Sequence, residues 1–216
     1  MIRLKIEIEE LKKAILALSA LAEESVRKAV TATEERNSEL AQEVIDSDSD
    51  IDAAEVELEE ECLKILALHQ PVAMDLRFIV AVLKINGFLE RIGDQAVNVA
   101  ERAIYLADHK DVEMPAAVPL LSEKVQVMLR KSLDALVNMD AGRAREVLSL
   151  DDEVDEIHRR MYRKVQDMMR EHPAKIEGLV QWLSVSRCLE RIADQAENIG
   201  EDVLYMIEGE IVRHHK

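Results

Sequence analysis

Apolar residues recur along most of this chain at the spacing of a single helix face. Leu4, Leu11, Ile15, Leu18, Ala22 and Ala29 form one such stripe, because residues three, four and seven apart stack on the same side of a helix. They predict a first helix over residues 4–36. Asn37 and Ser38 break it and offer a cap for a second helix over 39–69. Pro71 stops that helix and opens a third, which runs to about 108. Residues 109–119 hold two prolines and no periodicity, as a connector does. A fourth helix is expected over 120–138, a fifth capped by Asp140 and ending near Pro173, and a sixth over 174–208. The tail over 211–216 reads as frayed. No run of β-branched residues alternates with period two between turn signals, so no sheet is expected.

The order is three helices, a link, three helices, and the links within each set are short enough to force antiparallel neighbours. The expected fold is all-α: two tandem three-helix bundles related by an internal pseudo-twofold. Residues 1–109 form the first repeat, 110–119 the linker and 120–216 the second repeat. Sequence identity within the chain supports the duplication. Glu90-Arg91-Ile92-Gly93-Asp94-Gln95-Ala96 returns as Glu190-Arg191-Ile192-Ala193-Asp194-Gln195-Ala196, each after a leucine.

In both copies Glu, Asp, Asn and Glu follow one another at helical spacing: Glu90, Asp94, Asn98 and Glu101, then Glu190, Asp194, Asn198 and Glu201. At about 100° per residue the four point the same way. Leu89, Ile92, Ala96, Val99 and Ala103 lie nearly opposite, which makes each stripe an outer face. A second acidic pair sits in helices two and five. Asp48, Asp52, Glu55 and Glu59 share a face, with Ile51, Leu58 and Cys62 on one flank and Val56 and Leu63 on the other. Asp151, Asp155 and His158 repeat the pattern between Val154, Met161 and Val165 on one side and Leu148 on the other. Carboxylates inside an apolar stripe are costly unless paired or metal-bound.

Distance along the chain brings these motifs together. Measured from turns near Gln70 and His172, all eight carboxylates of Asp48, Asp52, Glu90, Asp94, Asp151, Asp155, Glu190 and Asp194 lie roughly 25–36 Å away at about 1.5 Å per residue. Antiparallel hairpins therefore set four carboxylates at one level, twice. Like charges so placed raise one another's pKa, and cations relieve the repulsion. The oxygen-rich set suits divalent or trivalent hard ions, with iron, Mn or Mg the candidates, better than copper or structural zinc. Glu55, Asn98, Glu101, His158, Asn198 and Glu201 are secondary candidates.

Composition narrows the function classes. Of 216 residues, 48% are hydrophobic and only 3% aromatic, enough apolar content for a core built from Leu, Ala, Val, Ile and Met. A net charge of −16 argues against nucleic acid as a partner. The two cysteines, Cys62 and Cys188, are isolated and read as reduced thiols of an intracellular protein. The start of the chain lacks the apolar block of a signal peptide, and no stretch reaches the roughly 20 apolar residues of a membrane span. A cytoplasmic protein without direct membrane insertion is expected. Gly-rich phosphate loops and nucleophile elbows are absent from the sequence. Met128, Met139, Met161, Met168, Met169 and Met206, with Trp182, read as core. His69, His109 and His172, near helix ends, read as facing solvent or a last-turn carbonyl.

At these motifs the chain resembles the PhoU family of bacterial phosphate-transport regulators. The likeness rests on the Glu-Arg-Ile-Gly-Asp of 90–94, the Glu-Arg-Ile-Ala-Asp of 190–194, the Val-Ile-Asp-Ser-Asp of 44–48, and Gln70-Pro71 followed by Asp75-Leu76-Arg77. The last segment has no close counterpart after Pro173. The resemblance implies two three-helix bundles with metal on their surface at Asp48, Asp52, Glu90 and Asp94, and at Asp151, Asp155, Glu190 and Asp194. It further implies a cytoplasmic, often homodimeric regulator, not an enzyme, that damps the phosphate-specific ABC transporter and mediates between it and a phosphate-sensing histidine kinase. Two other readings compete: a carboxylate-bridged di-iron helical-bundle enzyme, for which Asp155-x-x-His158 is a partial motif, and a metal-free helical scaffold.

Overall fold

The computed structural model describes residues 2–209, and the expected frayed tail lies outside them. Six helices follow in order: α1 (Ile2–Glu35), α2 (Ser38–His69), α3 (Ala73–Asp108), α4 (Val118–Asn138), α5 (Ala141–Glu171) and α6 (Ile176–Glu208), with a 3-10 turn at Pro173–Lys175 before α6. No strand occurs among the described residues. The two anticipated caps form. Asn37 Oδ1 accepts from Leu40 N at 3.0 Å, and Asp140 Oδ1 accepts from Arg143 N at 3.1 Å. Each satisfies an amide that the first helical turn leaves without a partner.

Helices α1–α3 form one bundle and α4–α6 the other, and α3 packs along α6 to join them. The joining helices are therefore buried on several sides, which is why their apolar faces are the broadest. Ile79, Ile85, Leu89, Ile92, Ala96 and Val99 of α3 are buried, as are Trp182, Val185, Leu189, Ile192, Ala196 and Ile199 of α6. Fully burying a side chain of Leu or Ile size contributes about 1.5–3 kcal/mol. Across this seam Lys84 Nζ donates to Asp202 Oδ1 at 3.1 Å, a polar link between the repeats.

The outer helices have fewer neighbours, and this corrects one expectation. Ile51, Leu58 and Cys62 of α2 are buried, but Val56 and Leu63 on the other flank are 52% and 53% exposed. Burial pushes the Cys62 thiol up to about 12, so it is an inert core residue. The acids of α2 run along the edge of an apolar face rather than down its middle.

The connector is pinned. Arg36, just past α1 with φ 54, donates to the carbonyls of Leu106 (2.7 Å) and His109 (3.0 Å) and to that of Val112. Its guanidinium lies 5.9 Å from the Trp182 ring centre. Val112 is buried against α6 at Gly178, where an added Cβ would stand 2.5 Å from Val112 Cγ2. Only a glycine lets the connector lie that close. His69 departs from its expected surroundings: it meets Glu7 of α1. His109 Nδ1 lies 2.8 Å from the Tyr105 carbonyl, as a helix-end histidine should.

Candidate metal centres

The antiparallel pairs α2/α3 and α5/α6 set the acidic motifs side by side, and the electrostatics show which side chains sense one another. In the first repeat the Asp48 carboxyl is pushed up by burial, then by Asp52 and Asp94. Glu90 is pushed up by burial, then by Asp94 and Glu55, with Arg91 opposing, and by Asp52. Glu55 rises through burial, Glu59 and Asp52. In the second repeat Asp194 is raised to about 6, by burial first, then by Glu190, Asp151 and Asp155, with Arg191 opposing. The eight primary residues thus fall into two mutually repelling sets, one from each helix pair.

Close approach of the backbones shapes the first set. Gly93, between Glu90 and Asp94, faces α2. A Cβ there would lie 3.3 Å from Asp48 Oδ1 and 3.1 Å from Ile51 Cδ1. The second set has Ala193 at that position. Asp151 is buried, Asp155, Glu190 and Asp194 are half-buried, and in the first set Asp94 and Asp52 are exposed. Asp48, Asp52, Glu90, Asp94, Asp155, Glu190 and Asp194 make no ion pair with Lys or Arg among the described residues. A protein that leaves so many partly buried carboxylates without a cation is chemically suited to receive one from solution. Oxygen donors of this kind are the chemistry that hard ions take, and the expected ligands divide into Asp48, Asp52, Glu90 and Asp94 on one helix pair and Asp151, Asp155, Glu190 and Asp194 on the other. As they stand, no three His, Cys, Asp or Glu side chains among the described residues are gathered closely enough to hold one ion.

The secondary candidates have other engagements. Asn98 Nδ2 donates to the Asp94 carbonyl at 2.7 Å and Asn198 Nδ2 to the Asp194 carbonyl at 2.8 Å, one helical turn back in each case. Glu101 pairs with Arg102. Glu201 is half-buried on α6. Glu55 and His158 occupy matching places and both reach the third helix of their repeat. Asn86 Nδ2 donates to the Glu55 carbonyl at 2.9 Å and to Oε1 at 3.2 Å, and His158 Nδ1 meets Ser186 Oγ at 2.7 Å. Asn86 and Ser186 are the site-bordering residues that the sequence reading missed. Both are buried polar side chains at positions 100 apart, and the repeat alignment, read for polar residues on an apolar face, is the signal that would have found them.

The PhoU domain profile matches residues 15–103 and 118–203. A phosphate-specific transport system accessory protein PhoU homolog of Aquifex aeolicus is 39% identical over 208 residues, covering 96% of this chain and 94% of that one. A homolog of the same description from Pseudomonas putida is 39% identical over 211 residues, covering 96% of this chain and 82% of the relative. The crystal structure of PhoU from Pseudomonas aeruginosa superposes with a TM-score of 0.91 at 38% identity, over 95% of this chain and 99% of that one. The phosphate transport system regulatory protein PhoU from Streptococcus pneumoniae superposes with a TM-score of 0.90 at 27% identity, over 97% and 99%. With both repeats matched by the domain profile and nearly the whole chain aligned to these proteins, the chain belongs to the PhoU family.

Proposed function

We propose that this protein is a cytoplasmic, homodimeric accessory regulator of a phosphate-specific ABC transporter. It restrains uptake when phosphate is plentiful and passes that state to a phosphate-sensing histidine kinase. It acts by binding rather than by turning over a substrate. The names of its relatives support the transport link. The reading of the working surface rests on one observation: each repeat gathers a set of carboxylates that repel one another across a helix pair.

Iron, Mn or Mg held there would supply a local positive charge on an acidic protein, able to accept a phosphate or carboxylate oxygen of a partner. Side-chain rotation would draw the oxygens onto the ion, since carboxylate torsions are soft. The half-exposed Glu90 and Glu190 leave the ion next to solvent. The place of His158 is taken by Glu55 in the first repeat, which disfavours a di-iron enzyme, whose ligands come as paired Glu-x-x-His motifs.

The test is the double variant Glu90→Gln with Glu190→Gln, expressed in cells lacking their own copy of the gene. Elemental analysis is expected to show less bound metal, and phosphate-starvation genes are expected to be transcribed in phosphate-rich medium. A variant that is folded, metal-free and still repressing would remove the carboxylate surface from the mechanism.

A further inference from the structure

The two repeats carry grooves in equivalent places with opposite charge. In the first, a groove of about 650 Å³ runs between α1 and α2. In the second, one of about 500 Å³ runs between α5 and the connector with the start of α4. Helices α2 and α5 align at an offset of 103 residues, Asp48 upon Asp151. At that offset Ala54 and Leu58 become Ile157 and Met161, while Glu57 and Glu61 become Arg160 and Lys164. The floor grows larger and more apolar, and the rim turns from acid to base.

The basic character extends beyond the groove. Arg159, Arg160 and Arg163 all lie beside one carboxylate, Glu156, at 3.6–3.7 Å, and Lys164 makes no ion pair among the described residues. Glu113 is the one acid in the groove lining. On a chain of net charge −16 this is a local excess of positive charge beside an apolar trough. Its groove residues Arg160 and Lys164 lie on the side of α5 away from Asp155, while Arg159, four residues after Asp155, lies on nearly the same side as that acid.

We propose that this groove docks an acidic amphipathic helix of a partner protein, with the apolar stripe of that helix on Ile157, Met161 and Met168 and its Asp or Glu flanks on Arg160 and Lys164. From Ile157 to Met168 the floor extends about 16 Å at about 1.5 Å per residue, three helical turns, which matches anchors spaced i, i+4, i+7 and i+11 on an incoming helix. Methionines suit such a floor because their unbranched side chains repack around different anchors. The recessed position of Ile157 and Met161, both buried, favours inserted side chains over a flat bilayer surface. Charge complementarity to the rim selects acidic flanks.

The inference is independent of the metal reading and is tested without metal. Two labelled designed helices serve as probes, each with leucine at i, i+4, i+7 and i+11, one with glutamate flanks and a twin with lysine flanks. Fluorescence anisotropy with the full chain is expected to show the glutamate helix binding about tenfold tighter or more. Arg160→Glu with Lys164→Glu should invert that order. Glu57→Gln with Glu61→Gln, at the equivalent place in the first repeat, should leave the binding of the glutamate helix within about twofold. Arg160, Lys164 and Glu57 are exposed and Glu61 is half-buried at the surface, so both variants should fold, and their thermal melts verify it. Equal affinity for the twins, or an order untouched by the α5 reversal, overturns the proposal. So does loss of binding to phosphatidylglycerol vesicles in the α5 variant with helix binding unchanged, which would assign the basic face to a membrane surface.

Discussion

The first repeat holds Asp94 in the open and seats Asp48 against Gly93, whereas the second buries Asp151 and holds Asp194 half-buried with its pKa raised to about 6. The sequences around Asp94 and Asp194 are nearly identical, whereas those around Asp48 and Asp151 differ, with Ser47 and Ser49 against Leu150 and Asp152. In the first pair the helices come close at Gly93; in the second Ala193 stands there and a close approach falls at Gly200, where a Cβ would lie 3.1 Å from Leu148 Cδ1 and 3.3 Å from the Ala144 carbonyl. Gly200 is seven residues further along, about 10 Å at about 1.5 Å per residue. The glycines that face the neighbouring helix sit at different levels in the two repeats, while the carboxylates that meet are the same. Duplication thus conserves the charge set, and packing tunes its desolvation.

The seam between the repeats gives the largest expected effect. Lys84 bonds to Asp202, but the matching residues, Ser184 and Arg102, cannot form the same ion pair. Lys84→Met withdraws a cation from a buried carboxylate and should cost about 2–3 kcal/mol in urea unfolding. Arg102→Met, at the place related to Asp202, should cost less than about 1 kcal/mol because its pair with Glu101 is partly exposed. Equal losses would mean the seam is electrostatically symmetric after all.

Next comes the connector. Gly178 admits Val112 where the first repeat has Phe78. Gly178→Ala should destabilise by about 1–3 kcal/mol through overpacking. Combined with Val112→Ala, which vacates the space, it should add almost nothing to the cost of Val112→Ala alone. Additive losses in this double-mutant cycle would show that the glycine serves something other than the connector.

A smaller effect separates the carboxylate sets by pH. The raised Asp194 binds its proton more tightly in the folded protein than at its ordinary value of 3.8. Between pH about 4 and about 6 the folded state therefore holds more protons than the unfolded one. Stability of the metal-free protein from this group rises as pH falls through 6 and is complete below about 4. Because Asp194 is only half-buried, screening reduces the effect to about 1 kcal/mol. Asp194→Asn should stabilise the metal-free protein at pH 7 by that amount and remove its share of the slope. Melting curves of wild type and variant that run parallel from pH 7 to pH 5 would contradict it.

The smallest effect lies in the turns. The first repeat joins α2 to α3 through two non-glycine residues in the left-handed region, Gln70 at φ 45 and Ala73 at φ 51. The second uses the 3-10 turn at Pro173–Lys175, with His172 at φ −130. Ala73→Gly relieves the clash of a Cβ with the backbone, which costs about 1–2 kcal/mol, but frees the unfolded chain, so a net gain of about 0.5 kcal/mol or less is expected. A lowered melting temperature would mean that the alanine methyl packs favourably.

The sequence by itself determined the six helices, their order and the duplication, because each depends on local signals. Apolar residues at helical spacing, the caps Asn37 and Asp140, and the stops at Pro71 and Pro173 act within a turn or two of themselves. It also determined which carboxylates could share a level, since helix rise and turn position fix that arithmetic. Tertiary structure decided the rest. Val56 and Leu63 look as apolar as Leu58, yet α2 has neighbours on one flank only and leaves them in solvent. Arg36 reads as a helix-end charge until the connector folds across it. Glu55 and His158 read as secondary ligand candidates, and their hydrogen-bond partners Asn86 and Ser186 come from about thirty residues away. Burial, counter-charges and hydrogen-bond partners come from segments distant in the chain, and no periodicity within one helix records what will be packed against it.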